Sequence, residues 1–248
     1  MGFFPLGDDN SARRTIPYMV WTIVAINVAV WFLQLYLGDD FNNGYAVVPQ
    51  KITTGVDFGD PQTVTIPGQD QPVVINEALG PHPIYLTLLT AMFMHGGWLH
   101  IAGNMLYMVI FADQIEDLLG HGRFVLFYLL CGLAAGLAQV LAAPHSVIPC
   151  LGASGAIAGC LGTYLVKYPT NPVRVIVLNA IMPLPAWIVL GAWFALQLIS
   201  QARSIDGQSG VAYMAHIGGF ICGVVLVFVL GIGRAPVDRV VDRDERWR

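Results

Sequence analysis

Charge is scarce in this sequence. Only 11% of its 248 residues are Asp, Glu, Lys or Arg, where a soluble domain carries about 25%. So few charges cannot coat the surface of a water-soluble protein of this size. Basic runs are also missing, which argues against a nucleic-acid partner, while the net charge of −4 is small and says little about partners. Cysteine is sparse. Cys131, Cys150, Cys160 and Cys222 lie in or beside apolar segments without metal-ligand spacing, so they read as packing residues. No metal or cofactor is expected.

What fills the sequence instead is apolar. Hydrophobic residues make up 56% and the mean hydropathy is +0.63. The first long run, residues 16–37, is long enough to cross a hydrocarbon core of ~30 Å at ~1.5 Å per residue. It follows Arg13-Arg14 and lacks a small-residue cleavage site, so it reads as an uncleaved first span. Further runs fall at about 97–117, 123–143, 149–167, 173–200 and 211–232. The expected architecture is an all-α bundle of six transmembrane helices. Pro183 and Pro185 are expected to kink or restart the fifth span.

Residues 38–83 break the pattern. They are rich in Gly and Pro and hold six carboxylates against Lys51. Either an ordered subdomain with a hairpin near Thr63–Ile66 and Val73–Ile75 or a floppy acidic loop fits this composition. The division expected is a polar segment 1–15, the first span 16–37, the insertion 38–83, a core 84–232 and a charged tail 233–248. Ten Lys and Arg fall on the side of the termini and two, Lys51 and Arg203, on the other. That bias places both termini in the cytoplasm and the insertion outside.

Polar groups inside apolar spans need a reason. Three clusters stand out: His95-Gly96-Gly97-Trp98-Leu99-His100 through Asn104, Gly152-Ala153-Ser154-Gly155, and Ala215-His216-Ile217-Gly218-Gly219. Each opens a span that runs from outside to inside, so all three share the outer half of the membrane. Ser154 falls near a helix N-terminus, where unpaired N–H groups favour an anion. His216 is the only histidine of the sixth span and can take a proton near neutral pH. Spans four and six hold no carboxylate, so a Ser-His dyad is expected rather than a triad. His100 and Asn104 are four apart and share a helix face. Gly152 and Gly155 leave room for a substrate backbone, and the glycines of spans four and six also fit close helix packing. His95 reads as a supporting, hydrogen-bonding residue near the mouth.

These motifs, with Gly120-His121-Gly122-Arg123-Phe124, resemble the rhomboid family of intramembrane serine proteases over residues 84–232. The resemblance implies a nucleophile at Ser154, a base at His216, and an oxyanion site at His100, Asn104 and the Ser154 backbone N–H. It implies hydrolysis of single-span membrane proteins within the lipid bilayer, in the bacterial inner membrane, with the site toward the outer side. Trp187, Trp193 and Phe194 would belong to a lateral gate. Many members carry a Trp-Arg pair where this chain has Leu86-Thr87. Some carry an aromatic residue four after the nucleophile where it has Ala158, so the imidazole must be held in another way. The alternative is a non-proteolytic relative that binds membrane clients. Substrate identity and oligomeric state are not legible in the sequence.

Overall fold

The structure, a computed structural model, describes residues 4–64, 71–177, 180–203 and 212–230. The tail 233–248 and Thr65-Ile66 of the expected hairpin lie outside the described residues. A short strand β1 (Phe4–Asp8) precedes helix α1 (Tyr18–Leu37). Two short helices, α2 (Asp39–Tyr45) and α3 (Pro49–Thr54), and a hairpin of β2 (Gln62–Val64) and β3 (Val73–Ile75) follow. A bent helical run centred on α4 (Thr87–Thr90) leads into α5 (Trp98–Tyr107), a π-helical turn and α6 (Asp113–Leu119). Then come α7 (His121–Ala142), α8 (Ser154–Lys167), strands β4 (Pro172–Val177) and β5 (Ala180–Pro185), α9 (Ala186–Arg203) and α10 (Tyr213–Val229).

Among the described residues, α1 and α7 are long and apolar enough to cross a membrane, and the bent pair Ile84–Phe93 and Trp98–Leu119 passes as a third. The fourth run starts later than expected, and of the two outcomes expected for the fifth, a kink or a restart at Pro183 and Pro185, the chain takes the restart. Helix α8 starts only at Ser154 and has 14 residues, because Gly152 just before it takes φ +138° and the chain there is extended. The run at 173–200 is not one kinked span. Its β-branched first part, Val173–Val177, pairs with β1 on one side and β5 on the other. Pro183 and Pro185 sit in β5, an edge strand that tolerates the missing N–H groups. Helix α9 begins after them.

The insertion is ordered. Lys51, 1% exposed, reaches Asp57 at 3.1 Å, Glu77 at 3.2 Å and the carbonyl of Ala78 at 2.7 Å. A buried ammonium requires such partners. The backbones of Val47 and Cys150 exchange two hydrogen bonds, at 2.9 and 2.8 Å, which ties the insertion to the loop before α8.

Helix α1 lacks a local cap, since Pro17 precedes it. Glu116 of α6, distant in sequence, supplies one. Its carboxylate accepts the N–H groups of Met19 (2.9 Å) and Val20 (2.7 Å) and also meets the ring of His121. An anion at a helix N-terminus satisfies its orphan donors and its dipole together.

Three helices meet at the centre. A side chain added at Gly219 would strike the carbonyl of Gly155, and one at Gly223 the backbone of Gly159. Helices α8 and α10 therefore touch backbone to backbone. Thr163 adds a 2.9 Å hydrogen bond to the carbonyl of Gly223. Ala135, Ala138 and Cys131 of α7 fill the third side. Small residues are what permit such approach in an apolar medium. Gly223→Val should force the two helices apart and lower stability by ~1–3 kcal/mol, the usual cost of overpacking. Thermal unfolding in detergent checks this, and an unchanged midpoint contradicts the contact.

Strand β1 is pinned by Asp8. Its Oδ2 accepts from the Tyr164 hydroxyl (2.6 Å) and from Gln114 (2.8 Å). Burial outweighs these donors and pushes the carboxyl up from 3.8 to about 7. A raised carboxyl favours the folded state most below pH 3.8, and that contribution is lost as pH rises through about 7. Between about pH 4 and 8, Asp8→Asn should therefore flatten part of the fall in unfolding midpoint shown by the unsubstituted chain. Parallel slopes would refute the assignment.

Candidate active site

Ser154 is the first residue of α8, and His216 lies in the first turn of α10. The glycine contact between these helices sets their separation. Ser154 Oγ is 2.8 Å from His216 Nε2. The other ring nitrogen, Nδ1, faces Gln197 Oε1 of α9 at 2.9 Å. With the Gln197 oxygen, which can only accept, facing Nδ1, the neutral tautomer that satisfies both contacts carries its proton on Nδ1 and leaves Nε2 bare. The serine hydroxyl then donates to Nε2.

His100 and Asn104 sit four apart on α5, and both line the same cavity as Ser154 and His216, with a volume of about 640 Å³. The N–H of Gly96 donates to His100 Nδ1 at 3.2 Å. That leaves the proton on Nε2, on the edge that lies against Gly152. A side chain at Gly152 would come within 2.9 Å of His100 Nε2 and 3.5 Å of Ser154 Oγ, so the space between donor and hydroxyl exists because that residue is glycine. Asn104 is 8% exposed, and its Nδ2 has no hydrogen-bond partner among the described residues. A buried amide donor without a partner is expensive, and Asn104 is one of the residues that line the cavity. The Ser154 N–H, as the first of its helix, lies outside the intrahelical ladder.

Two supporting residues take other places than expected. Gly155 turns away from the cavity, since a Cβ there would press on Ala135 of α7. It spaces helices instead of admitting a substrate. His95 is buried, not at the mouth, and its ring nitrogens find no hydrogen-bond partner among the described residues. Its backbone does the bonding: the N–H donates to Gln34 Oε1 (2.9 Å) and the carbonyl accepts from Gln34 Nε2 (3.1 Å). The ring packs edge-on against His100 with centroids 5.2 Å apart. The loop before α8 is held by a 2.9 Å bond from Gly152 N–H to the carbonyl of Ala91.

A Rhomboid domain family model matches residues 83–233, more than half of the chain. The chain belongs to the rhomboid family. It is a membrane protein. Rhomboid protease GluP of Bacillus subtilis (strain 168) is 35% identical over 151 residues, covering 60% of this chain and 26% of that protein. Rhomboid-like protein 11, chloroplastic, of Arabidopsis thaliana is 28% identical over 159 residues, 60% of this chain and 53% of its own length. Putative rhomboid protease YdcA of Bacillus subtilis (strain 168) is 28% identical over 144 residues, 57% of this chain and 65% of its own. The chain thus matches less than two thirds of the length of each of these relatives.

In this rhomboid, sequence reasoning missed Gln197, Gln34 and Gln139. The signal was present, because each is an uncharged polar residue inside an apolar helix. Gln139 lines the cavity, and its Oε1 has no partner among the described residues. Trp193 packs against the imidazole at a 42° tilt, with centroids 5.9 Å apart, and stacks with Phe194 on Phe220.

Proposed function

We propose that this rhomboid is an intramembrane serine endopeptidase acting through a Ser154–His216 dyad. The 2.8 Å contact between Ser154 Oγ and a bare His216 Nε2 carries the reading. A hydroxyl is a weak nucleophile until a base takes its proton. Here Oγ attacks the scissile carbonyl while Nε2 takes that proton. The carbonyl oxygen becomes an oxyanion, and on this reading His100 Nε2–H, Asn104 Nδ2 and the Ser154 N–H donate to it. His216 then gives its proton to the leaving amine, and water drawn into the cavity hydrolyses the acyl-enzyme by the same steps in reverse.

The substrates on this reading are single-span membrane proteins cut in or near their spans. The core 84–232 forms five of six spans, with α8, α9 and α10 as short ones and residues 16–37 as the first. The Lys and Arg bias supports cytoplasmic termini, residues 38–83 outside and a site toward the outer face; a bacterial inner-membrane setting completes the reading. The similarity to proteins named rhomboid proteases supports the reaction class.

Reconstitution with a single-span reporter tests it. Ser154→Ala and His216→Ala should abolish cleavage, and a fluorophosphonate should label the unsubstituted chain but not Ser154→Ala. Cleavage at equal rates by all three would sink the assignment. Asn104→Ala should lower kcat by ~10²–10³, the usual cost of one oxyanion donor. A value near that of the unsubstituted enzyme would remove Asn104 from the oxyanion site.

A further inference from the structure

We propose that Gln197 is a positioning residue that selects the tautomer of His216 and makes the dyad depend on helix α9. The inference rests on the proposed function. A neutral imidazole carries one proton on either nitrogen, and only the form with Nε2 bare can accept from Ser154. Nothing in α8 or α10 makes that choice, because neither helix holds a carboxylate. Position 158, four after the nucleophile, is a fully buried alanine and offers no ring to hold the imidazole. Both tasks fall to α9. Gln197 Oε1 accepts from Nδ1–H at 2.9 Å, and Trp193, one turn earlier on the same face, packs against the ring at a 42° tilt.

The placement has a consequence for motion. The buried residues of α9 are Ala186, Val189 and Leu190, all in its first turns. Further along, Leu196, Leu198 and Ile199 are 48%, 47% and 47% exposed. Among the described residues, the half that carries Gln197 is held by Trp193 and Phe194 against Phe220 and by the bond to His216. A displacement of this half removes the acceptor and the packed ring together. The imidazole is then free to turn or to move its proton to Nε2, and Ser154 loses its base. The dyad is competent only while α9 is docked.

The test compares the reconstituted unsubstituted chain, Gln197→Met, Gln197→Glu and Ser154→Ala on a single-span reporter, reading kcat, KM and the unfolding midpoint. Methionine keeps length and packing but offers no acceptor to speak of; glutamate keeps the acceptor. Gln197→Met should lose ~10–100-fold in kcat, part of the ~10²–10⁴ that a positioned base supplies, with KM held within about twofold. Gln197→Glu should recover most of that loss. Full kcat in Gln197→Met, a loss confined to KM, or equal losses in both variants would overturn the proposal. If Gln197→Met unfolds, the rate of fluorophosphonate labelling in Gln197→Ala replaces it, and labelling at the unsubstituted rate overturns the proposal. If Ser154→Ala is silent while Gln197→Met is fully active, only the role of Gln197 falls. If Ser154→Ala cleaves as well as the unsubstituted chain, the protease reading falls, and this proposal with it.

Discussion

The direct contact of two helix backbones, α8 against α10, is the constraint on which the site depends. Ser154 and His216 are separated by 62 positions and belong to different helices, so their hydrogen bond is only as good as the helix spacing. Lipid gives no hydrophobic drive for helices to associate, because the tails are as apolar as the side chains. What remains is dispersion across a close interface and the few polar bonds that cross it. Gly155, Gly159, Gly219 and Gly223 allow the first, and Thr163 to the Gly223 carbonyl is an example of the second. A single methyl group at Gly223 would meet the Gly159 backbone. The same glycines that look like packing devices therefore fix the distance between Ser154 and His216.

Around that centre, long-range polar contacts place the remaining parts. Gln34 of α1 holds both backbone groups of His95, the Gly96 N–H then sets the tautomer of His100, and the Gly152 N–H is tied to Ala91. Glu116 stands in for the missing cap of α1. In an apolar bundle each such group must find its partner inside the protein. The partners come from distant segments, so each bond also fixes the relative position of two elements. Stability and site geometry are in this sense supplied by the same few residues.

The parts of this arrangement legible in the sequence are those with local signatures. Ser154, His216, His100 and Asn104 announce themselves as polar residues at fixed places in apolar runs, and the glycine spacing predicts the helix contact. The hairpin of β4 and β5 was missed because hydropathy does not distinguish a β-branched strand from half a span, and β4 depends on β1, more than 160 residues earlier. The short α8 was missed because the apolar run continues through the extended residues before Ser154. Glu116 and Gln34 act on partners 61 to 97 residues away, which no window of sequence reveals. Gln197 was within reach, as a glutamine four after Trp193 in an apolar helix, but its partner lies on a different helix.

On the proposed chemistry, the choice of glutamine over a carboxylate has a physical logic. A carboxylate would stabilise the imidazolium that forms when Ser154 gives up its proton. It would also have to be buried as an anion in an apolar bundle before substrate arrives, and a buried charge costs several kcal/mol even after relaxation. An amide oxygen selects the same tautomer without carrying a charge, so it adds far less to the cost of folding in lipid. What it gives up is the electrostatic support of the imidazolium. That support must then come from the oxyanion, which lies in the same cavity and is opposite in sign. The donors at His100, Asn104 and the Ser154 N–H thus bear more of the burden than they would beside an acidic third member. The unpartnered amide of Asn104 is where, on that chemistry, the burden falls.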